Sequence, residues 1–300
     1  MDQLIKEWGS KVASQQLVTH DTITASPLNL LANALDEPTV AYKYEQLPSD
    51  GTIVPATWHH IYFPPRTVTL AHDGYETDFF PPAPFTQRMW AGATLTWYTP
   101  LSVGDEVTMV TSMDRYEFRP ASRLGDAVFV YLNKDIYRGD QKMIREQRCL
   151  VYATEQTHQV SMKSIKMKKL PDVSKQIIPS SIQLFQYSAL TFNAHRIHYD
   201  QDYTKNMEHH PACLVHGPLS STWMISLLRT YLASEYHVDL DSVIQSFDYR
   251  CLTPLYVNQP LTICGKQISN RHFELWILGP TQQLAVKGTV TLNIMENTKD

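Results

Sequence analysis

Several classes of function are made unlikely by what this sequence has little of. Its 300 residues include four cysteines, which stand far apart without a Cys-x-x-Cys pair, so neither a zinc knuckle nor a disulfide framework is expected. No window approaches the roughly 18 consecutive apolar residues of a membrane-spanning helix. Acidic residues come early in the sequence, which suits neither a secretory signal nor an Arg-rich transit sequence. We therefore expect a protein of the cytoplasm with no membrane partner.

An excess of basic charge and a glycine-rich motif are missing too. The formal net charge is -4, and the Lys and Arg residues are mostly scattered, so we expect no nucleic-acid partner. Nothing resembles the Gly-rich turn that cradles a dinucleotide, so no such cofactor is expected. With 43% hydrophobic and 19% charged residues, the composition is that of an ordinary globular protein. The length allows two domains.

What the sequence does contain is an internal repeat. Residues 99–108 and 253–262 share Thr, Pro, Leu, Val and Thr at the same five relative positions, and the two segments are 154 residues apart. Each follows an apolar strand-like run and precedes two alternating runs separated by turn residues. The predicted strands are 89–97, 127–137 and 143–152 in the first half and 243–251, 273–278 and 284–294 in the second. This pattern predicts two copies of one fold.

The predicted helices differ between the halves. In the second half, Gly217 and Pro218 precede an apolar helical pattern over 219–232, and Pro is well suited to the first helical position. In the first half the best helical stretch is 27–35, with Ser26 as N-cap, followed by a Pro-rich span over 55–84 that indicates loops. The first copy is therefore expected to be degenerate.

A polar, Lys-bearing segment over 155–181 lies between the copies and is interpreted as a linker or crossing segment. It divides the chain into a domain of residues 1–160, with a structural and acyl-pocket role, and a catalytic domain of residues 161–300. The fold class that accounts for the pattern is α+β, with a helix wrapped by a curved antiparallel sheet occurring twice.

Titratable and polar side chains are concentrated in residues 188–200, which read Ser-Ala-Leu-Thr-Phe-Asn-Ala-His-Arg-Ile-His-Tyr-Asp. Imidazole suits proton transfer, because its ordinary pKa near 6.5 allows either protonation state at neutral pH. His195 and His198, with nearby acidic and His residues, are also potential metal ligands. No HExxH frame supports that alternative, so no metal is expected.

This loop, followed by Val-His-Gly-Pro-Leu at 215–219 at the head of a helix, carries a family resemblance. It resembles the C-terminal half of the MaoC-like double hotdog hydratases, most closely the branch with itaconyl-CoA and mesaconyl-C4-CoA hydratases and mitochondrial-type 3-hydroxyacyl thioester dehydratases. The resemblance spans nearly the whole chain, including Arg-Met-Trp-Ala-Gly at 88–92. The family signature Ser-Gly-Asp-x-Asn-Pro-x-His lies over 191–198, and only His198 is retained at a chemical position.

The resemblance implies a hydro-lyase that adds water to the C2=C3 bond of an enoyl-CoA thioester, without a metal or redox cofactor. His198 is then the general acid/base. Asn193 stands where the family has an Asp; it cannot take a proton, but its amide can orient water or substrate. The N–H of Gly217, at the start of a helix, is expected to hold the thioester oxygen in the enolate-like transition state.

Three further residues are possible supporting members of the site. His195 stands at the Asn position of the family signature. Asp200 is expected either to orient His198 or to replace the missing carboxylate. His216 either packs at the helix start as a satisfied polar group or contacts the substrate.

Four residues are candidates for substrate binding. Arg196 is either a surface charge or a partner for a carboxylate or phosphate of the substrate. Arg88 and Trp90 belong either to the core or to the acyl pocket, where Arg88 would meet a terminal carboxylate. Arg123, in a loop of small residues, is a candidate for the phosphates of coenzyme A.

The expected substrate is a short dicarboxylyl-CoA such as itaconyl-CoA or mesaconyl-CoA, which would place the enzyme in itaconate degradation. Alternatives are a 3-hydroxyacyl thioester of fatty acid metabolism, a thioesterase reaction, or thioester binding without catalysis. Two hotdog copies can pair within one chain, so both a monomer and a homodimer are compatible with the pattern, and a homodimer is expected.

Overall fold

The computed structural model describes residues 1–122, 125–154 and 165–293 of the chain. The described strands are β1 Gln16–Thr22, β2 Gln87–Trp97, β3 Glu106–Ser122, β4 Gly125–Arg138, β5 Gln141–Ala153, β6 Val173–Ile177, β7 Ile244–Cys251, β8 Leu261–Ser269, β9 His272–Leu278 and β10 Leu284–Leu292. The described helices are α1 Asp2–Val12, α2 Ala25–Leu35, α3 Ser181–Leu190, α4 Gln201–Asn206, α5 Gly217–Tyr236 and α6 Leu240–Val243. Short 3-10 helices cover Trp58–Ile61 and Arg196–His198.

The strands form one ten-stranded antiparallel sheet in the order β1-β3-β4-β5-β2-β7-β10-β9-β8-β6. Read outward from the middle, the strands of each half follow the same order. At the centre, Thr94 of β2 lies opposite Asp248 of β7, and the Thr94 hydroxyl donates a 2.6 Å hydrogen bond to the Asp248 carboxylate. These two positions have the same offset as the repeated Thr-Pro-Leu segments. The repeat in the sequence therefore corresponds to the two halves of the sheet.

Helix α5 lies in the concavity of the second half. It begins at Gly217 with Pro218 in its first turn and ends where His237 takes a left-handed conformation. Leu219, Met224 and Leu228 along it are fully buried. Because the helix is covered on several sides, its apolar residues do not form the single stripe of a surface helix. The predicted helix over 219–232 is confirmed and is longer at both ends.

The first half has no equivalent of α5 among its described residues. Helix α2 follows β1 as α3 follows β6, so α2 corresponds to α3. Between α2 and β2 the chain forms only the short Trp58–Ile61 helix and irregular segments rich in proline. The first copy is degenerate, as expected, because it lacks its central helix.

One local prediction is wrong. The N-cap of α2 is Thr24, not Ser26; Pro27 therefore lies in the first turn, where a missing N–H leaves no intrahelical hydrogen bond unmade. The segment interpreted as a linker or crossing segment includes β6, which pairs with β8 at the edge of the sheet. Edge strands are half exposed, and this one is correspondingly polar. The predicted domain boundary at 160/161 lies outside the described residues.

Candidate active site

The loop between α3 and α5 is held by a tight turn around Asn193. The Asn193 side-chain oxygen accepts a 3.0 Å hydrogen bond from the His195 N–H, and the Asn193 N–H donates to the Ser188 carbonyl at 2.8 Å. The turn carries His195 and His198 into the interior, where they are 5% and 8% exposed. The oxygen expected to orient water is thus used in the turn, which leaves the NH2 of Asn193 for a ligand.

His198 is fixed in a form that can act as a base. Its Nδ1 lies 2.9 Å from the Leu214 carbonyl oxygen; a carbonyl only accepts, so Nδ1 carries the proton and Nε2 carries the lone pair. Burial lowers the pKa of His198 to about 4, with a smaller contribution from the positive charge of Arg88. At neutral pH the imidazole is therefore uncharged, with its Nε2 lone pair unprotonated.

His216 packs against the ring of His198. The two rings stack with their centroids 3.6 Å apart, and His216 Nε2 lies 2.8 Å from the Ser188 hydroxyl. His216 is almost fully buried, and burial holds its pKa well below the ordinary value. His216 thus packs at the start of α5, and its Nδ1 is buried without a hydrogen-bond partner among the described residues.

The first half of the chain contributes Asp73 and Gly74 to this loop. The Arg196 N–H donates to the Asp73 carbonyl at 2.8 Å, and Gly74, with φ of +87°, lies so close to the Ala194 carbonyl that a Cβ would not fit. The Asp73 carboxylate is 3% exposed, and its Oδ2 lies 3.6 Å from His195 Nε2. Sequence reasoning missed Asp73, because Asp-Gly in a Pro-rich segment indicates an ordinary turn.

Asp200 and Arg196 hold each other. The Arg196 Nε and Nη2 donate to Asp200 Oδ2 at 3.1 and 2.8 Å, and the guanidinium lies over the Tyr203 ring, 4.2 Å from its centroid. Asp200 Oδ1 accepts from the Tyr203 N–H and caps α4. The prediction that Asp200 orients His198 is wrong, since Leu214 does so. The guanidinium expected to meet a substrate anion is occupied by Asp200.

A cavity of about 1140 Å³ joins this loop to the first half of the chain. Its wall includes His195, His198 and Gly217 from the second half and Arg88 and Trp90 from the first. Asn193 lies in the same wall, so the structure brings together six of the residues singled out from the sequence. Arg123, the candidate for coenzyme A phosphates, lies outside the described residues.

Two aromatic contacts shape the wall that the first half provides. The Trp90 ring packs so closely on the start of α5 that a Cβ on Gly217 would lie 2.5 Å from Trp90 Cδ1. The Trp90 indole N–H donates to the Tyr249 hydroxyl at 3.0 Å. The Arg88 guanidinium stacks on the Tyr75 ring, 2.8 Å from its centroid. Both residues of the predicted acyl pocket are thus held in place at the cavity.

The part of the cavity inside the first half has a charged wall. Glu146 is 1% exposed and lies 3.0 Å from His60 Nε2 and 2.8 Å from Arg148 Nη2. Burial acts to raise the pKa of the Glu146 carboxyl, but Arg148 and His60 hold it well below its usual range. His59, His60 and Glu146 offer three possible metal-ligand atoms within 4.8 Å of one another. The adjacent Arg148 places a positive charge there, which opposes a cation.

We expect the free energy of unfolding to fall as the pH drops from about 6.5 to 4. Burial lowers the pKa of His198 and of His60 to about 4, whereas both take up a proton near 6.5 once unfolded. Above pH 6.5, the pKa of histidine in the unfolded chain, neither group lowers the free energy of unfolding. As the pH falls to about 4, each group lowers it by at most on the order of 3 kcal/mol. Urea denaturation across this range measures it; H198Q should reduce the slope by about one proton, and an unchanged slope would contradict the assignment.

The chain matches the family described as hydroxyacyl-thioester dehydratase type 2 over residues 57–257. It is 28% identical over 291 residues to mesaconyl-C(4)-CoA hydratase of Chloroflexus aurantiacus, covering 95% of this chain and 98% of the relative. It is 30% identical over 233 residues to the mitochondrial hydroxyacyl-thioester dehydratase type 2 of Schizosaccharomyces pombe, covering 69% of this chain and 74% of the relative.

Solved structures with the same architecture cover almost the whole chain. A MaoC-like dehydratase from Phytophthora capsici superposes with a TM-score of 0.72 at 14% identity, covering 97% of this chain and 99% of that one. HtdX of Mycobacterium tuberculosis superposes with a TM-score of 0.62 at 14% identity, covering 92% and 99%. These likenesses confirm the double hotdog fold. Among the described residues, no helix has the length and apolar character needed to cross a membrane.

The sequence match over most of the chain, the shared fold and the buried histidine loop agree, and the chain belongs to the hydroxyacyl-thioester dehydratase type 2 family of MaoC-like hydratases and dehydratases, as a hydro-lyase.

Proposed function

We propose that this hydro-lyase reversibly adds water to the C2=C3 double bond of an enoyl-CoA thioester. The observation that carries the proposal is the state of His198, whose Nδ1 proton is held by the Leu214 carbonyl at 2.9 Å. His198 lines the cavity, and its unprotonated Nε2 can act there as a base. The ring stacked on it, His216, directly precedes the first residue of α5. A proton acceptor and a helix N-terminus thus lie side by side.

In the hydration direction, His198 Nε2 takes a proton from water as the water oxygen bonds to C3. The electron pair of the double bond moves toward the thioester, and its oxygen becomes enolate-like. Gly217 offers a backbone N–H at that oxygen, because the first N–H groups of a helix have no intrahelical partner and the helix dipole favours negative charge there. The proton held by His198 then passes to C2, so that one water is consumed and no proton is lost.

For the acyl group, we propose a short chain with a second carboxylate, as in mesaconyl-CoA or itaconyl-CoA. Support comes from Arg88 in the cavity wall and from the likeness to a mesaconyl-C(4)-CoA hydratase. The first-half wall also carries Lys134, Glu146 and Arg148, and burial lowers the pKa of Lys134 to about 8. Cationic side chains on this part of the wall can pair with a second carboxylate of the acyl group, which a fatty chain lacks.

We expect R88Q to lower kcat/KM for mesaconyl-C4-CoA by about 10-fold to 100-fold, the range for one charge-assisted hydrogen bond. Crotonyl-CoA, which has no second carboxylate, should be affected far less. Loss of the enoyl absorbance measures both rates. R115Q is the matched control, since Arg115 is exposed on β3. Equal losses on both substrates would show that Arg88 supports the fold or the thioester instead.

The same assay separates hydration from thioester hydrolysis when a thiol reagent is included. A hydratase consumes the enoyl chromophore without releasing free coenzyme A. Thiol appearing in step with the loss of enoyl absorbance would contradict the proposed reaction. Binding of crotonyl-CoA and mesaconyl-C4-CoA without turnover of either would indicate a thioester-binding protein.

A further inference from the structure

The site contains a buried carboxylate that the mechanism above does not use. Asp73 is 3% exposed, although it belongs to an irregular segment of the first half. Its Oδ1 accepts a hydrogen bond of 3.0 Å from the Tyr75 N–H. Within the described residues, its partner at ion-pair distance is His195, at 3.6 Å from Oδ2. Among the described residues no Lys or Arg forms an ion pair with Asp73, and a buried carboxylate without such a partner is costly, so its position calls for a role.

The position of Asp73 is built by the backbone on both sides of the contact. The Asp73 carbonyl accepts the Arg196 N–H at 2.8 Å. The next residue, Gly74, has the left-handed φ that favours glycine, and it leaves no space for a side chain against the Ala194 carbonyl. The segment is therefore packed closely against this loop, which brings the carboxylate beside the imidazole of His195.

His195 lies between Asp73 and the proposed base. Its ring meets that of His198 edge to face, with centroids 5.6 Å apart. The groups that act on His195 with positive charge are Arg88 and, when protonated, His72, His198 and His210; together with burial they hold its pKa well below the ordinary value. When His198 takes a proton from water, its ring becomes positively charged in a buried site that already contains the positive charge of Arg88. A nearby carboxylate stabilises the new charge.

We propose that Asp73 is a positioning residue of the active site: its carboxylate faces His195 Nε2 at 3.6 Å and, through His195, stabilises the positive charge that forms on His198 during turnover. The proposal rests on the hydratase function proposed above. The carboxylate is supplied by the first half of the chain, whereas the imidazoles belong to the second. It also assigns a function to His195, whose ring lines the cavity.

The test is a double-mutant cycle with D73N and H195Q, measured with crotonyl-CoA. Asn is the same size as Asp and keeps the acceptor for the Tyr75 N–H but lacks the charge. We expect D73N to lower kcat about 10-fold to 100-fold with KM changed less, because the lost interaction is stronger in the transition state than with bound substrate. The double variant should lose no more than the more affected single variant, since Asp73 acts through His195.

D78N is the control, because Asp78 is a half-buried carboxylate of the same segment, and it should keep the wild-type kcat. D73E restores the charge and should recover part of the activity, which keeps the test decisive if D73N is poorly folded. Wild-type kcat in D73N, or losses that multiply in the double variant, would overturn the role of Asp73. A wild-type enzyme that hydrates neither crotonyl-CoA nor mesaconyl-C4-CoA would refute the proposed function, and this role with it.

Discussion

Replacing His198 with alanine is expected to lower kcat for enoyl-CoA hydration by about 10³-fold, within the range that a positioned general base contributes. The reason is that His198 combines three properties: it lines the cavity, its Nδ1 proton is fixed by the Leu214 carbonyl, and burial keeps it neutral. The loss should be the same for crotonyl-CoA and mesaconyl-C4-CoA, because both need a proton taken from water. KM should change much less than kcat.

Initial rates of enoyl loss, measured with substrate concentrations that separate kcat from KM, check this expectation. H20A is the control, since His20 is an exposed histidine on β1, and it should retain full activity. The melting temperature of H198A shows whether the fold persists. Equal rates in wild type and a folded H198A would contradict the role of His198 as the general base.

The second large effect is expected for G217A, which should lower kcat/KM about 100-fold or more. A Cβ at this position would lie 2.5 Å from Trp90 Cδ1, so either the indole or the start of α5 must move. Such a shift displaces the N–H that is proposed to hold the enolate oxygen, and loss of one oxyanion donor costs on the order of 10²-fold to 10³-fold. Overpacking should also lower the free energy of unfolding by roughly 1 to 3 kcal/mol.

Chemical denaturation and steady-state kinetics of G217A measure the two effects separately. In the double variant W90A/G217A the steric conflict is removed, so the added cost of G217A in stability should disappear. The activity lost with Trp90 itself is measured in W90A alone. A G217A enzyme with wild-type kcat/KM would mean that the thioester does not approach the start of α5.

The sequence was most informative where the structure depends on local pattern. Apolar alternation and turn residues located the strands, and Gly217 followed by Pro218 located the start of α5, because strand and helix periodicity are properties of neighbouring residues. The repeat of Thr-Pro-Leu predicted the two-fold organisation of the sheet. The sequence therefore predicted the fold, including the degenerate first copy.

The details of the site were less accessible, because they depend on contacts between distant segments. Asp73 lies more than one hundred positions before His195, and nothing in its local sequence marks it as buried. Asp200 is two positions from His198, yet its carboxylate turns toward Arg196 and the first turn of α4. Sequence proximity suggested Asp200 as the carboxylate beside the histidines. The contact between the two halves of the chain places Asp73 there instead.

Among the described residues the first half has no central helix, so the two halves have unequal and complementary tasks. The second half carries the histidine loop and the start of α5, whereas the first half provides cavity walls and the Asp73 segment. The lining of the cavity comes from both halves, so neither repeat alone supplies the whole chamber. One enclosure is thus assembled from two unequal repeats.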